Sequence, residues 1–169
     1  VRVLDEILKF NKKIKFYQAS SSEMFGSEKS IVKNESTPFI PSSPYAISKL
    51  YAYWQTKLYR EAYGIFAVNG ILFNHESPLR GLEFVTRKIS NEVAKISLGV
   101  SKKLELGNIL SKRDWGYAPE YVEGIWKSLQ VKNSDDYVMA TNESHSVKEF
   151  VEKACKIADI SLKCLKINK

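Results

Sequence analysis

The chain has 169 residues, 44% of them hydrophobic, which is enough for one real core and too few for two full-sized domains. No apolar run approaches the length of a membrane span, and the opening V-R-V-L-D-E-I-L-K-F alternates charged with apolar residues where a signal peptide would carry an unbroken apolar core, so a soluble protein with no membrane partner is expected. The net charge of +7 is spread along segments with acidic neighbours and shows no basic run with interleaved aromatics, which argues against a nucleic-acid partner and for a solvated surface that favours a small anionic ligand.

Cys155 and Cys164 form neither a CxxC nor a metal-like cluster, so reduced thiols, a cytoplasmic protein and no metal site are expected. Val1 to Phe10 carries a helical stripe at positions 1, 3, 4, 7, 8 and 10, with nothing before it to supply a cap. Lys15 to Ser20 reads as a short buried strand. It delivers Ser20-Ser21-Ser22-Glu23-Met24-Phe25-Gly26, small hydroxyls and one carboxylate at a strand's carboxyl end, where open α/β sheets bind ligands; the plain alternative is a turn. Glu28 to Pro41 is polar and proline-bearing, a loop.

Ser42 to Gly64 reads as a helix with Ser43 as N-cap, Pro44 in the first turn and Gly64 as its stop. Tyr45 and Lys49 then share a face one turn apart. A cation within about 4 Å favours phenolate over phenol, and the helix N-terminus acts in the same direction, which would equip Tyr45 as a general base. Y-x-x-x-K by itself is weak, because a tyrosine beside a solvated lysine has the same spacing.

Ile65 to Phe73 reads as a second strand, interrupted by Asn69-Gly70, that leads into the polar loop Asn74-His75-Glu76-Ser77-Pro78-Leu79-Arg80-Gly81. Phe84 to Gly99 is an amphipathic helix and Leu104 to Leu106 a short strand, with Arg113-Asp114-Trp115-Gly116 in the loop that follows. Tyr121 to Gln130 is a helix, Tyr137 to Ala140 a strand, and Ser146 to Asp159 a helix opened by a Ser146/Glu149 capping box. The alternation predicts an α/β fold with a parallel sheet flanked by helices.

Ser-Ser-Glu at one strand exit and Ser-Pro-Tyr-x-x-x-Lys at the next helix start resemble the extended short-chain dehydrogenase/reductase superfamily. Y-Q-A-S-S-S-E-M-F-G, P-x-S-P-Y-A-I-S-K-L-Y-A-Y-W, G-I-L-F-N-H-E-S-P-L-R-G, F-V-T-R-K-I and L-G-N-I-x-S-K-R-D-W-G, between Phe16 and Gly116, are similar to consecutive motifs of the GDP-mannose 4,6-dehydratase family. The resemblance implies a Rossmann-like sheet and a lyase using NADP and GDP-mannose. It makes Ser21 the hydroxyl at the sugar O4, Glu23 the acid/base at C5 and C6, and Tyr45 the base at O4, with Lys49 on the nicotinamide ribose. His75 and Arg80 match cofactor-binding positions; Ser22, Asn74, Lys88 and Arg113 match substrate-binding ones. The implied reaction oxidises C4, eliminates water across C5 and C6, and returns the hydride to C6.

The family's opening Gly-rich βαβ unit has no counterpart, since no G-x-G-x-x-G or G-x-x-G-x-x-G occurs. The expectation is therefore an internal fragment, inactive alone: a single partial domain over 1–169, with the sheet and catalytic helix in roughly 1–80 and mostly substrate-binding parts in 81–169. A homo-oligomer is implied at full length, although Leu79 stands where the family has the first of two arginines in an intersubunit loop. Tyr117-Ala118-Pro119-Glu120 also departs from the family's usual His-Ala-Lys-Asp. Alternatives are another nucleotide-sugar epimerase or dehydratase of the superfamily and a non-catalytic α/β binding module.

Overall fold

The computed structural model describes residues 1–26 and 32–167. In chain order the elements are α1 (Arg2–Phe10), β1 (Phe16–Ser21), a 3-10 turn (Ser22–Phe25), α2 (Pro44–Tyr63), β2 (Ala67–Leu72), β3 (Asn74–Glu76), α3 (Val85–Ser97), β4 (Leu104–Leu106), β5 (Lys112–Arg113), β6 (Trp115–Tyr117), α4 (Ala118–Ser128), β7 (Asp136–Met139), β8 (His145–Ser146), α5 (Val147–Ile157), a second 3-10 turn (Leu162–Cys164) and β9 (Leu165–Ile167). They form two compact units. The first comprises Val1–His75 and Ala118–Ala140, the second Glu76–Tyr117 and Thr141–Lys169. β1, α2 and β2 lie in the first unit, to which Ala118–Ala140 also return.

The first unit is built on a parallel sheet of order β1-β2-β7. Side chains alternate between its faces. Asn69 and Asp136 turn toward α2, where the Asn69 amide donates to the Tyr53 carbonyl and the Asp136 carboxylate accepts from the Tyr53 hydroxyl. Gly70 lies on the opposite face, where α4 packs and Gly124 meets Met139. The helices therefore flank the sheet on both sides, as the alternation predicts. The outer edge of β7 is covered by Glu35, whose carboxylate accepts from the Val138 N–H at 2.7 Å, so that part of the edge is not left open for another strand.

Asn69-Gly70 does not interrupt the second strand, which runs unbroken and wholly buried from Ala67 to Leu72. The dipeptide has the composition of a turn, but each residue answers a packing demand. A Cβ on Gly70 would fall 1.9 Å from the Tyr17 phenol oxygen, so the ring across β1 needs the missing side chain. Asn69 enters a polar cluster beneath α2. Its amide donates to Asp136 Oδ1 at 2.9 Å, where Arg60 also donates at 2.9 Å, and Tyr53 donates to Asp136 Oδ2 at 2.6 Å.

That cluster adds a polar row to the buried side of α2. Positions 45, 49, 53, 56 and 60 share one face of α2, and from it Lys49, Tyr53 and Arg60 reach into the sheet. The opposite face shows Ile47, Tyr51, Trp54 and Leu58 to solvent. The helix is held by these charge-assisted hydrogen bonds together with Ala46, Leu50, Tyr53 and Tyr59, which pack into the core.

Burial pushes the Asp136 carboxyl pKa up, but the bonds from Arg60, Tyr53 and Asn69 overcome it and hold the group below the ordinary carboxylate value. A folded pKa below the unfolded one gives stability that is present above about pH 4 and is lost as pH falls. Asp136→Ala removes the counterion of the buried Arg60 and is expected to destabilise the fold by about 3–5 kcal/mol. Urea unfolding at pH 7 and again near pH 3 measures both effects. A variant within ~0.5 kcal/mol of the parent at pH 7 would contradict them.

α2 starts and stops where expected. Ser43 Oγ accepts from the Ala46 N–H at 3.1 Å, Pro44 occupies the first turn, and Gly64 ends the helix in the left-handed region. Part of the loop expected at Glu28 to Pro41 lies outside the described residues; Val32 to Pro41 carries no regular element. Its end is pinned to the turn before it, since Ile40 N–H donates to the Met24 carbonyl at 3.0 Å and Phe39 stacks on Phe25. Gly26, at φ 73, is required there, because a Cβ would lie 2.0 Å from the Ile40 oxygen.

The second unit packs α3 against α5 over β4 and its parallel partner β9, around Ile89, Val93, Leu104, Val147 and Val151. The capping box at Ser146 and Glu149 forms as expected, with bonds of 3.1 and 2.9 Å. The Arg113 segment is not a plain loop: β5 pairs antiparallel with β8, setting Arg113 opposite His145. The Asp114 carboxylate accepts from the Thr141 and Asn142 N–H groups and the Thr141 hydroxyl at 2.8–3.1 Å, a clasp that gives this acid a structural role.

Candidate active site

Parallel pairing decides which loops meet. Ser21 on β1 stands opposite Leu72 on β2, so Ser22-Glu23 and Asn74-His75 leave the sheet at the same, carboxyl end. α2 packs on β1 and on the 3-10 turn, which brings the helix carrying Tyr45 and Lys49 to that end as well. Seven of the ten candidate residues, Ser21, Ser22, Glu23, Tyr45, Lys49, Asn74 and His75, lie in this unit.

Ser21 is buried at the strand's last position and its hydroxyl accepts from the Glu23 N–H at 3.2 Å, capping the turn. That bond uses an acceptor lone pair and leaves the hydroxyl proton to donate. Ser22 is half-buried, and the Glu23 side chain is exposed on the turn. Lys49 donates to the Ala19 carbonyl at 2.8 Å, with its ammonium 5.6 Å from the Tyr45 ring centroid. Two of the three ammonium N–H donors remain. Tyr45 is 54% exposed, so its phenol is reachable by a ligand.

His75 Nδ1 lies 2.9 Å from the Phe73 carbonyl, and the ring stacks on Tyr121 with centroids 4.8 Å apart. A carbonyl only accepts, so Nδ1 carries a proton. Asn74 is half-buried beside it.

Arg80, Lys88 and Arg113 belong to the second unit. Arg80 Nε pairs with Glu76 Oε2 as an ion pair at 3.2 Å without hydrogen-bond geometry, that oxygen accepts from the Thr86 hydroxyl at 2.8 Å, and the guanidinium lies 3.4 Å from the Phe84 ring centroid. Lys88 is exposed on α3, and Arg113 is exposed on β5 with Nη1 donating to the Lys112 carbonyl. His145 sits between Glu143 and Glu149 at 3.7 and 3.4 Å.

Among the described residues no group of His, Cys, Asp and Glu is arranged to hold a metal, and no helix is long and apolar enough to cross a membrane. A hollow of about 170 Å³ opens between α1, β1 and α2, lined by Val3, Leu4, Phe16, Gln18, Tyr51 and Thr56 among others. It includes none of the candidate residues. The cluster under α2, described above, is what reading the motifs missed. Its signal was present: an asparagine inside the apolar run I-F-A-V-N-G-I-L-F has to find polar partners if the strand is buried.

Comparison with known proteins places this arrangement. A family model described as GDP-mannose 4,6 dehydratase matches residues 1–168. A GDP-mannose 4,6 dehydratase of Dictyostelium discoideum is 55% identical over 165 residues, covering 96% of this chain and 46% of that protein. The Homo sapiens GDP-mannose 4,6 dehydratase is 60% identical over 141 residues, 83% of this chain and 38% of that protein. A crystal structure of dTDP-glucose 4,6-dehydratase from Bacillus anthracis in complex with NAD superposes with a TM-score of 0.88 at 25% identity, covering 98% of this chain and 52% of that one. The chain thus spans less than half the length of these curated relatives.

Proposed function

The chain belongs to the GDP-mannose 4,6-dehydratase family, and from that premise we propose that, at the length of its relatives, it dehydrates GDP-mannose to GDP-4-keto-6-deoxymannose. The observation that carries the reading is the meeting at one sheet end of Ser21 and Glu23 with a helix whose Tyr45 phenol is open to solvent and whose Lys49 is fixed to β1. A nicotinamide cofactor, bound there, supplies the acceptor and later the donor of the hydride, and we assign it as NADP. The residues present fit its ribose end: Lys49 keeps two N–H donors for a diol, and the Tyr45 phenol stands one helical turn away.

Tyr45 accepts the proton of the sugar's O4 hydroxyl, with the Lys49 charge stabilising the phenolate. The Ser21 hydroxyl donates to the same oxygen and orients it. With C4 a ketone, the C5 proton is acidic, and Glu23, being exposed on its turn, can reach it. The carboxylate that takes this proton can give one to the departing C6 hydroxyl. Ser22, Asn74, Lys88 and Arg113 bind the nucleotide sugar, and His75 and Arg80 the cofactor. The same reading places the enzyme in the cytoplasm as a homo-oligomer.

The test is product analysis. Protein at the relatives' length, incubated with GDP-mannose and NADP, is expected to yield the 4-keto-6-deoxy sugar nucleotide, with dTDP-glucose and UDP-glucose left unreacted. Turnover of either alternative in preference to GDP-mannose overturns the substrate; no turnover of any of them overturns the enzyme.

A further inference from the structure

We propose that Asn69, acting through Ser20, is a positioning residue that sets the Ser21–Glu23 turn against the Tyr45 helix; this rests on the reading of those residues as the reacting groups. Asn69 is fully buried on β2. Its side-chain oxygen accepts from the Ser20 hydroxyl at 3.3 Å, and its amide nitrogen donates to Asp136 at 2.9 Å and to the Tyr53 carbonyl at 3.3 Å. One side chain therefore binds β1, β7 and α2 together, with both of its N–H donors in use. A desolvated amide that lost any of these partners would carry the cost of an unmet hydrogen bond, so the three elements are held at one mutual depth.

The attachment to β1 falls at the point that matters. Ser20 takes the Asn69 bond, and Ala19, the preceding residue, takes the Lys49 ammonium on its carbonyl at 2.8 Å. At two consecutive residues β1 is thus tied first to α2, through Ala19, and then to β2, through Ser20, and the next in line is Ser21. Ser20 bonds to Asn69 while the Ser21 hydroxyl caps the turn at the Glu23 N–H, so Ser20 can anchor the strand end without occupying the hydroxyl that meets substrate. A well-packed apolar residue at position 69 would serve the core as well as a polar one. The amide adds direction: hydrogen bonds fix where β1 ends along the helix axis, which an apolar contact leaves free to slide.

Ser20→Ala tests this, because it removes one hydroxyl and keeps the strand. Two readouts are taken in the protein at full relative length: hydrogen exchange of the Glu23 amide, and kcat and KM for GDP-mannose. Ser20→Ala is expected to speed Glu23 amide exchange by about tenfold and to lower kcat by a similar factor at nearly unchanged KM. Exchange in the core of the second unit at Val93 should not change. Ser20→Thr, which keeps the hydroxyl, is expected to restore both parental values. Glu23 amide exchange equal to the parent, a loss read in KM alone, or failure of the threonine to rescue would overturn the proposal. If the parent itself does not turn over GDP-mannose, the functional reading fails separately, and the exchange arm still decides whether Asn69 and Ser20 hold the turn.

Discussion

Tyr45→Phe is expected to reduce turnover of GDP-mannose by about 10²–10⁴-fold, the range that lost general-base catalysis covers. The substitution deletes one oxygen from a side chain that is half open to solvent, in a helix capped by Ser43 and held by Lys49, Tyr53 and Arg60, so folding should be undisturbed. KM should change little, since the phenol is asked to act on O4 in the transition state and not to hold the nucleotide. Steady-state kinetics at saturating cofactor, with circular dichroism as the folding control, gives the answer. Turnover within a few-fold of the parent would remove Tyr45 from the mechanism.

Glu23→Gln should separate the two halves of the reaction. The amide keeps the size of the carboxylate and its hydrogen bonding but has no basic oxygen to take the C5 proton. On the proposed assignment C4 oxidation falls to Tyr45 and is expected to proceed. Elimination across C5 and C6 is expected to stop. In the presence of GDP-mannose, absorbance of reduced nicotinamide should accumulate on the variant, no 6-deoxy product should form, and deuterium from solvent should not enter C5. Near-normal dehydration with deuterium at C5 would assign the proton transfer to a different group.

Short-range chemistry made much of this fold readable in advance. Ser43, Pro44 and Gly64 bracket α2 through bonds that span three or four residues, and Ser146 with Glu149 does the same for α5. The end of β1 was readable too, because the serine cluster that bounds it caps a turn, Ser21 accepting from the Glu23 N–H. What escaped depended on partners far away in sequence. The inner face of α2 is polar because Asp136, 76 residues after Arg60, lies beneath it; local hydropathy alone would have turned Ile47, Tyr51, Trp54 and Leu58 inward. Asn69-Gly70 looked like a break for the same reason, since the Tyr17 ring and the Asp136 carboxylate that justify it come from other strands. The short strands β5 and β6 were read as loop, and β5 exists only through pairing with β8, more than thirty residues on.

The run Ser20-Ser21-Ser22 carries a consequence for genetics. Deleting any one of the three codons produces the same polypeptide, Y-Q-A-S-S-E-M-F, so deletion scanning reports one phenotype where substitution would report three. Because strand side chains alternate, the shortened chain cannot satisfy both demands on the strand. Either the first remaining serine keeps the contact with Asn69 and the glutamate moves one place nearer the sheet, or the glutamate keeps its place and an alanine faces the asparagine. The three hydroxyls are chemically alike and positionally distinct, and an in-frame loss of three nucleotides here should lower activity at least as far as Ser20→Ala does, although two serines and the glutamate survive.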